Sequence, residues 1–453
     1  MAKLKYFIKS KLPTMIITLL IIVVGFLFLY PNQQIKAVDN NKYIPFPNTK
    51  FAVIADPHVF ETKGNIESPL YLKYGVEDKK LLKMSSSILE TAIKKVIEEK
   101  NIEFVIIPGD LTDSGDVKSH RKVAETLQIL KNNEIDVYII PGNHDGFLTS
   151  EKNITDIPRD IVTPEQFKKI YNNYGYSQAI YNDNSSLSYV VEPVKGLWLV
   201  MIDSCIYNSE ESYHICDGKI RESTVEWIDR ILNRARIRNK AVIGCLHHSL
   251  LEHYKGHEKY FSKYIVNDWE KLSQHFASQN MKIVFTGHHH AQDIVKKDYE
   301  TEDKSYFLYD IETSSLIGYP NAYRTVEINE MQEMKIRSHY IKELPNFNNN
   351  FTDYTKNYVK EKIKNLASDK LKNFYLNQED EDKITERAAE AMLAHYKGNE
   401  LLTGDIKIKG IDLWSRIIYA FHKGLIYSLW NDLEPDDLEI KIDLKNGNWT
   451  KLK

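Results

Sequence analysis

The chain has 453 residues, of which 42% are apolar, with 60 Lys and Arg against 63 Asp and Glu; this is enough to bury one large domain and a smaller partner, and it excludes a disordered or low-complexity chain. Residues 1–36 hold five Lys and no acid, so residues 37–453 carry 55 basic against 63 acidic residues, a net of −8. That balance argues against long nucleic acid as a partner, which needs a basic footprint, and three cysteines are too few for a disulfide scaffold.

In chain order the leader comes first. Lys3, Lys5, Lys9 and Lys11 precede an uncharged apolar run from Met15 to Tyr30, long enough to cross or nearly cross a bilayer. Basic residues before the run and none directly after it put the N-terminus inside and everything that follows outside. The run exceeds a usual signal-peptide core, which favours a retained anchor, while Ile35-Lys36-Ala37 after Pro31 offers a small-residue cleavage site. Residues 1–36 are thus a signal-anchor or a signal peptide. The expected locations are the cell membrane, as a single-pass protein with its folded part outside, or the exterior after cleavage near Ala37.

Residues 45–345 read as an α/β domain, because short β-rich runs alternate with helical patterns. Strands are expected at Phe51–Ala55, Phe104–Ile107, Val137–Ile140, Leu197–Ile202, Ala241–Leu246, Lys282–Phe285, Tyr306–Ile311, Arg324–Ile328 and Met334–His339. Helices are expected at Lys80–Lys100, with Leu89, Ile93 and Val96 on its apolar face, and at Val117–Asn132, Thr224–Ile237 and Asn267–Ser278. Two stretches, Val59–Val76 and Gly146–Asn182, the latter with some helix around Pro164–Tyr174, are long enough to suggest function.

After Leu344-Pro345, a polar run with Asn346, Asn348, Asn349 and Asn350 marks a break. Residues 346–453 read as a smaller helical domain, since Val359/Ile363/Leu366, Ile384/Ala388/Met392 and Leu413/Ile417/Phe421/Leu425 recur at helical spacing. Its acidic cluster Glu379-Asp380-Glu381-Asp382 reads as a helix N-terminus rather than a metal site. Cys205 and Cys216 could close a short loop outside the cytoplasm or remain thiols, and Cys245 lies in an apolar run.

Five segments end or follow expected strands with a metal-ligand residue type: Asp56-Pro57-His58, Gly109-Asp110, Gly142-Asn143-His144-Asp145, His247-His248 and Gly287-His288-His289-His290. In extended chain, residues i and i+2 point the same way, so Asp56 with His58, and His288 with His290, can each offer two ligands to one region. Pro108-Gly109-Asp110 and Pro141-Gly142-Asn143 repeat one device, in which an apolar strand ends in Pro-Gly and presents an oxygen ligand. Strand ends of α/β sheets are where ligand sites collect. Two Asp, one Asn and several His without Cys suit Mn, Fe or Zn ions. Six or seven such ligands are too many for one tetrahedral ion, and two ions sharing a carboxylate would use them all.

The series Asp-x-His, Gly-Asp, Gly-Asn-His-Asp, His and Gly-His-x-His resembles the calcineurin-like metallophosphoesterase superfamily. The resemblance implies a four-layer α/β/β/α sandwich. It implies that Asp56, His58, Asp110 and His290 hold one metal and that Asp110, Asn143, His247 and His288 hold the other, with Asp110 bridging. It also implies attack on phosphorus by a water whose pKa the metals lower, with His144 stabilising the transition state or protonating the leaving oxygen. Asp145 is expected to orient His144. His247 is favoured over His248 as the ligand, His289 is expected to point away toward surface or substrate, and His253 and His257 read as ordinary loop residues.

Protein Ser/Thr phosphatases of that superfamily carry Arg where this chain has Ser114, and purple acid phosphatases place a Tyr ligand where it has Asp113. Gly109-Asp110-Leu111-Thr112-Asp113, Gly142-Asn143-His144-Asp145, Leu246-His247-His248-Ser249-Leu250 and Glu312-Thr313-Ser314-Ser315-Leu316 are similar to the bacterial class III cyclic-nucleotide phosphodiesterases. The appended helical domain is similar to that of a secreted or anchored Gram-positive branch. Resemblance therefore implies hydrolysis of cyclic nucleotides or similar small phosphodiesters. The alternatives are a phosphomonoesterase or nucleotidase on the same fold, or a non-catalytic envelope-binding protein. Arg324 could serve as a phosphate clamp or be a strand residue paired with a carboxylate. Tyr254, Tyr260, Phe261 and Tyr264 could stack on a base or simply pack.

Overall fold

A computed structural model describes residues 43–61, 79–146, 161–207, 215–301, 305–400 and 407–452. The leader, residues 62–76 of the first long loop and residues 147–160 of the second lie outside the described residues. Among the described residues no helix is long and apolar enough to cross a membrane.

Two seven-stranded sheets face each other. The first contains β1 (Thr49–Val53), β2 (Phe104–Pro108), β3 (Asp136–Ile140), β11 (Ala322–Ile328), β12 (Glu333–Tyr340), β13 (Glu439–Asp443) and β14 (Trp449–Lys451), in the order β14-β13-β12-β11-β1-β2-β3. The second contains β4 (Tyr181–Asn182), β5 (Tyr189–Val194), β6 (Leu197–Ile202), β7 (Ala241–Leu246), β8 (Ile283–Thr286), β9 (Asp293–Glu300) and β10 (Ser305–Glu312), in the order β4-β5-β6-β7-β8-β10-β9. The parallel cores β1-β2-β3 and β6-β7-β8-β10 are covered on both faces, which is why these strands are near-continuous apolar runs.

Side-chain alternation then makes the layers. Leu199 and Met201 of β6 join Phe51, Phe104 and Phe285 between the sheets, while Trp198, Val200 and Ile202 face outward. Phe51 stacks on Phe104 at 4.7 Å and meets the edge of Phe285 at 5.5 Å. Helices α1 (Ser85–Glu98) and α2 (Val117–Asn132) pack with the core that includes the first sheet, burying Leu89, Ile93 and Val96 of α1 as expected. The short α3 (Pro164–Ile170) starts with a Thr163/Gln166 capping box. Helix α4 (Glu222–Ile237), the short α5 (His257–Phe261) and α6 (Trp269–Ser278) follow, and Trp227, Ile228 and Ile231 of α4 with Phe276 of α6 cover the second sheet. The result is the α/β/β/α sandwich.

All nine expected strands form. Among the described residues beyond 346 come three α-helices, α7 (Phe351–Leu371), α8 (Gln378–Lys397) and α9 (Leu413–Ser428), capped by Asn350, Asn377 and Asp412. Glu379, Asp380 and Glu381 fill the first turn of α8, where the helix dipole favours negative charge. Two features differ from expectation. The apolar spacing of α9 does not mark its buried side: Leu413 and Phe421 are 75% and 80% exposed, and Ile418 and Ile426 face the protein instead. The region also does not end helical, because Glu439-Ile-Lys-Ile-Asp alternates with period two and adds to the first sheet beside β12. Residues 44–453 form one compact unit. Cys205 and Cys216 are both free thiols, so the short loop they could have closed is not made, and Cys245 is buried.

Candidate active site

Each functional segment leaves the C-terminal end of a parallel strand: Asp56 and His58 follow β1, Asp110 follows β2, Asn143 and His144 follow β3, His247 follows β7, and His288 and His290 follow β8. The backbone there is not extended as the i, i+2 argument assumed. Asp56, His58, Asp110, His288 and His290 all have φ between 37° and 73°, a left-handed conformation that non-glycine residues rarely adopt and that clusters at functional sites. Gly142 lets the β3 turn lie against Asp110, since a Cβ there would sit 2.3 Å from Asp110 Oδ1.

Six of the seven expected ligands are buried, and His290 is 12% exposed. Asp110 Oδ2 lies 3.4 Å from the Nε2 atoms of both His58 and His247, buried and without a hydrogen-bond donor, while its Oδ1 accepts from the His144 amide at 2.8 Å. On one side of this carboxylate, ligand atoms of Asp56, His58, Asp110 and His290 all come within 4.8 Å of one another, and the Nε2 atoms of His58 and His290 face each other at 3.1 Å. On the other side, His247 Nε2 is 3.0 Å from Asn143 Oδ1, and the His247 and His288 rings are 4.6 Å apart. His247 Nδ1 donates to the Pro108 carbonyl at 2.8 Å, which makes Nε2 the ligating nitrogen. His288 Nε2 donates to the Cys216 carbonyl at 3.1 Å, so Nδ1 is the nitrogen it can offer.

Burial dominates the electrostatics. It pushes His58 down to about 4 and holds His288 and His290 well below the usual imidazole range, keeping these rings in the neutral, ligating form. Burial likewise raises Asp56. At Asp110 burial acts in the same direction, but His247, His144 and His58 together hold its carboxyl well below the usual range. Against the pull of burial, Asp110 and Asp56 push His247 up to about 9. A buried carboxylate oxygen without a donor, ringed by imidazoles and a second carboxylate, fits two divalent cations sharing Asp110.

The surrounding residues correct several expectations. Asp145 does not orient His144. Its carboxylate accepts from the amides of Gly142, Leu111 and Thr112 and from the Thr112 hydroxyl, tying the two Pro-Gly turns together. His144 is held by the Asp113 carbonyl, 2.8 Å from its Nδ1, which fixes Nε2 as the basic nitrogen, and its side chain is 25% exposed at the site. His248 stays beside His247 and His288, its ring 4.4 Å from that of His288, with both its nitrogens engaged by Ser204 and the Cys216 carbonyl. His289 points away from the ligands, yet into a buried cluster with Tyr254, His257, Phe261, Tyr264 and His395 rather than to the surface. His253 and His257 are fully buried. Arg324 is also fully buried and donates to the carbonyls of Glu312, Asp293 and Asp437, so it clamps main chain rather than phosphate or a carboxylate. Tyr254 packs, and Tyr264 lies 4.7 Å from the His288 ring.

Two basic residues beside the site were not singled out in the sequence. Lys80 pairs with Asp113 at 2.5 Å, and Asp113 in turn sits 3.4 Å behind His58 Nδ1. Lys79 donates to the Tyr396 hydroxyl at 2.5 Å. The available signal was a Lys-Lys pair closing a long loop.

Among curated proteins, the chain is 27% identical over 148 residues to a probable glycerophosphodiester phosphodiesterase, GpdQ, of Arcobacter nitrofigilis, covering 32% of this chain and 41% of that one. It is 23% identical over 211 residues to a probable cyclic nucleotide phosphodiesterase of Fibrobacter succinogenes, covering 46% of this chain and 64% of that one. The chain thus spans less than two thirds of either relative. Among solved structures, a dimetal phosphatase from Danio rerio aligns at 14% identity and a TM-score of 0.46 over 65% of this chain and 97% of that one. The sequence pattern of the calcineurin-like phosphoesterases matches residues 49–292, more than half of the chain, and the protein belongs to that family.

Proposed function

We propose that the protein is a dinuclear metal-dependent phosphodiesterase that hydrolyses cyclic nucleotides or similar small phosphodiesters outside the cytoplasm. The observation that carries the reading is Asp110 Oδ2, equidistant at 3.4 Å from imidazoles of two ligand sets. Two ions bound there supply Lewis acidity toward phosphoryl oxygens and lower the pKa of a water. Asp56, His58, Asp110 and His290 would hold one ion, and Asp110, Asn143, His247 and His288 the other. Asp113 and the Pro108 carbonyl keep His58 and His247 aimed. His144, oriented through Nδ1, would stabilise the transition state or protonate the leaving oxygen.

Support for a diester comes from position 114 and from the relatives. The Ser114 hydroxyl donates to Asp116 at 2.8 Å, so no guanidinium stands there to match a dianionic monoester, and both curated relatives are named as probable phosphodiesterases. A monoesterase or nucleotidase is favoured by one observation: the charges of Lys79 and Lys80 reach the centre and lower the proton affinity of His290, although burial and His58 lower it more. Assays of the protein, purified without residues 1–36, with Mn²⁺ on a bis-aryl phosphate, an aryl monophosphate and 2′,3′- and 3′,5′-cyclic nucleotides distinguish the two. Diester turnover above monoester turnover is expected, and the reverse order overturns the proposal. The outward location rests on the charged-then-apolar leader, and recovery of the protein from a cytosolic fraction would contradict it.

A further inference from the structure

A second group of buried ionisable residues lies where the C-terminal segment meets the second sheet, and it contains none of the seven ligands above. Asp293 opens β9, His395 lies in the last turn of α8, Glu400 follows that helix, and Asp437 precedes β13. All four are buried. Ligand atoms of Asp293, His395 and Glu400 come within 4.8 Å of one another, as do those of Glu400, Asp437 and Asp432. His395 Nδ1 is 3.0 Å from Glu400 Oε1 and 3.7 Å from Asp293 Oδ2. Around a cation bound at about 2.1 Å, neighbouring ligand atoms are about 3.0–3.4 Å apart, close to this spacing.

An independent observation points to a ligand. Asp293 Oδ1 and Glu400 Oε2 are buried oxygens with no hydrogen-bond partner, while His395 Nδ1 is hydrogen-bonded to Glu400 Oε1. Such groups are rare in folded proteins. His253 Nδ1 lies 3.0 Å from Asp293 Oδ1, and against the pull of burial Asp293 and Asp310 hold His253 well above the usual imidazole range. The nearby guanidinium of Arg324 donates to main-chain carbonyls and to the Ser338 hydroxyl. Burial and the neighbouring carboxylates hold Glu400 and Asp437 well above the usual carboxylate range, a cost that a bound cation would relieve.

The seam is also tightly built. Gly398 has φ +69°, and a Cβ there would lie 2.3 Å from the Gln292 carbonyl and 2.8 Å from Asp437. The turn that carries Glu400 thus approaches β9 as only glycine allows, and the Gln292 amide donates to the Tyr396 carbonyl at 3.1 Å.

We propose that Asp293, His395 and Glu400, with Asp437 beside them, bind a further divalent cation. Imidazole and carboxylate donors without thiolate suit Zn²⁺ or Mn²⁺. The ion would pin the C-terminal segment to the stretch that begins with His288 and His290, next to His289, whose ring lies 5.0 Å from that of His395.

Crystals of the unaltered protein grown with Zn²⁺ or Mn²⁺ test this by anomalous scattering at the metal edge. A peak among Asp293, His395 and Glu400, separate from those at Asp110, is expected; peaks at Asp110 alone overturn the proposal. In solution, elemental analysis of gel-filtered protein loaded with Zn²⁺ should find one ion per chain fewer in a folded Glu400→Gln variant than in the parent. Equal metal content in the two contradicts it. The crystallographic arm decides even where Glu400→Gln does not fold.

Discussion

Asp113 joins three parts of the site at once: its carboxylate lies behind His58 Nδ1 and pairs with Lys80, and its carbonyl holds His144. Residues that orient metal ligands typically control affinity or activity by about 10–100-fold, and Asp113→Asn is expected to fall in that range in a Mn²⁺ titration of activity. The variant keeps the carbonyl that holds His144, so its loss should appear in metal affinity more than in turnover at saturating Mn²⁺. His120 is different, because it acts on stability. It is fully buried between the Tyr171 hydroxyl and the Asp145 carbonyl, and burial pushes it down to about 4 against the opposing Asp145 hydrogen bond. An unfolded imidazole takes up a proton below about pH 6.5, whereas the folded one does so only near 4. Its stabilising contribution is therefore complete above pH 6.5 and is lost as pH falls toward 4. Between pH 7 and pH 5 that loss is about 2 kcal/mol. Urea denaturation of His120→Gln should show a fall in stability between those pH values that is shallower by about that amount, and an unchanged fall would remove His120 from the pH dependence.

Among the elements, the Pro-Gly turns after β2 and β3 have the most direct consequences. A Cβ at Gly142 would lie 2.2 Å from the Asp110 amide nitrogen and 2.3 Å from its Oδ1, so Gly142→Ala must displace the Asp110 carboxylate. The strands on either side are unaffected, and the expected result is a chain that unfolds cooperatively but binds Mn²⁺ about 10–100-fold more weakly, measured by denaturation and by metal titration. These turns were legible in the sequence because everything they need is local: an apolar run, Pro-Gly, then an oxygen ligand. The fully buried parallel strands were legible for the same reason. Less local features were not. β9 carries Lys296, Lys297 and Asp298 at the edge of its sheet, where exposed charge is the usual guard against strand pairing and masks the strand pattern. The α9 register was misleading because spacing marks a face without saying which side meets the protein. The burial of His253, His289 and His395 depends on segments more than 100 residues apart in sequence, and a single histidine carries no sign of that.

For the molecule as a whole, the polar break at Asn346–Asn350 suggests a cut that the fold does not welcome. The family pattern ends at residue 292, yet the first sheet is completed by the last strands of the chain: β13 pairs with β12 through Met334↔Ile442 and Ile336↔Ile440. Ile440, Ile442 and Leu444 are fully buried in the same core as Phe51 and Phe104. Three such side chains contribute about 5–9 kcal/mol at about 1.5–3 kcal/mol each, comparable with the entire stability of a typical domain, about 5–15 kcal/mol. The same cut removes the Asp437 carbonyl from the Arg324 guanidinium, leaving a buried charge with fewer acceptors. It also bares the β12 edge to pairing with other chains. Residues 44–345 produced alone are therefore expected to aggregate or to lack fixed aromatic packing, seen as loss of the near-ultraviolet circular dichroism signal and elution in the void volume on gel filtration. A monomeric fragment that unfolds cooperatively at the parent's urea midpoint would show that the sandwich closes without its last two strands.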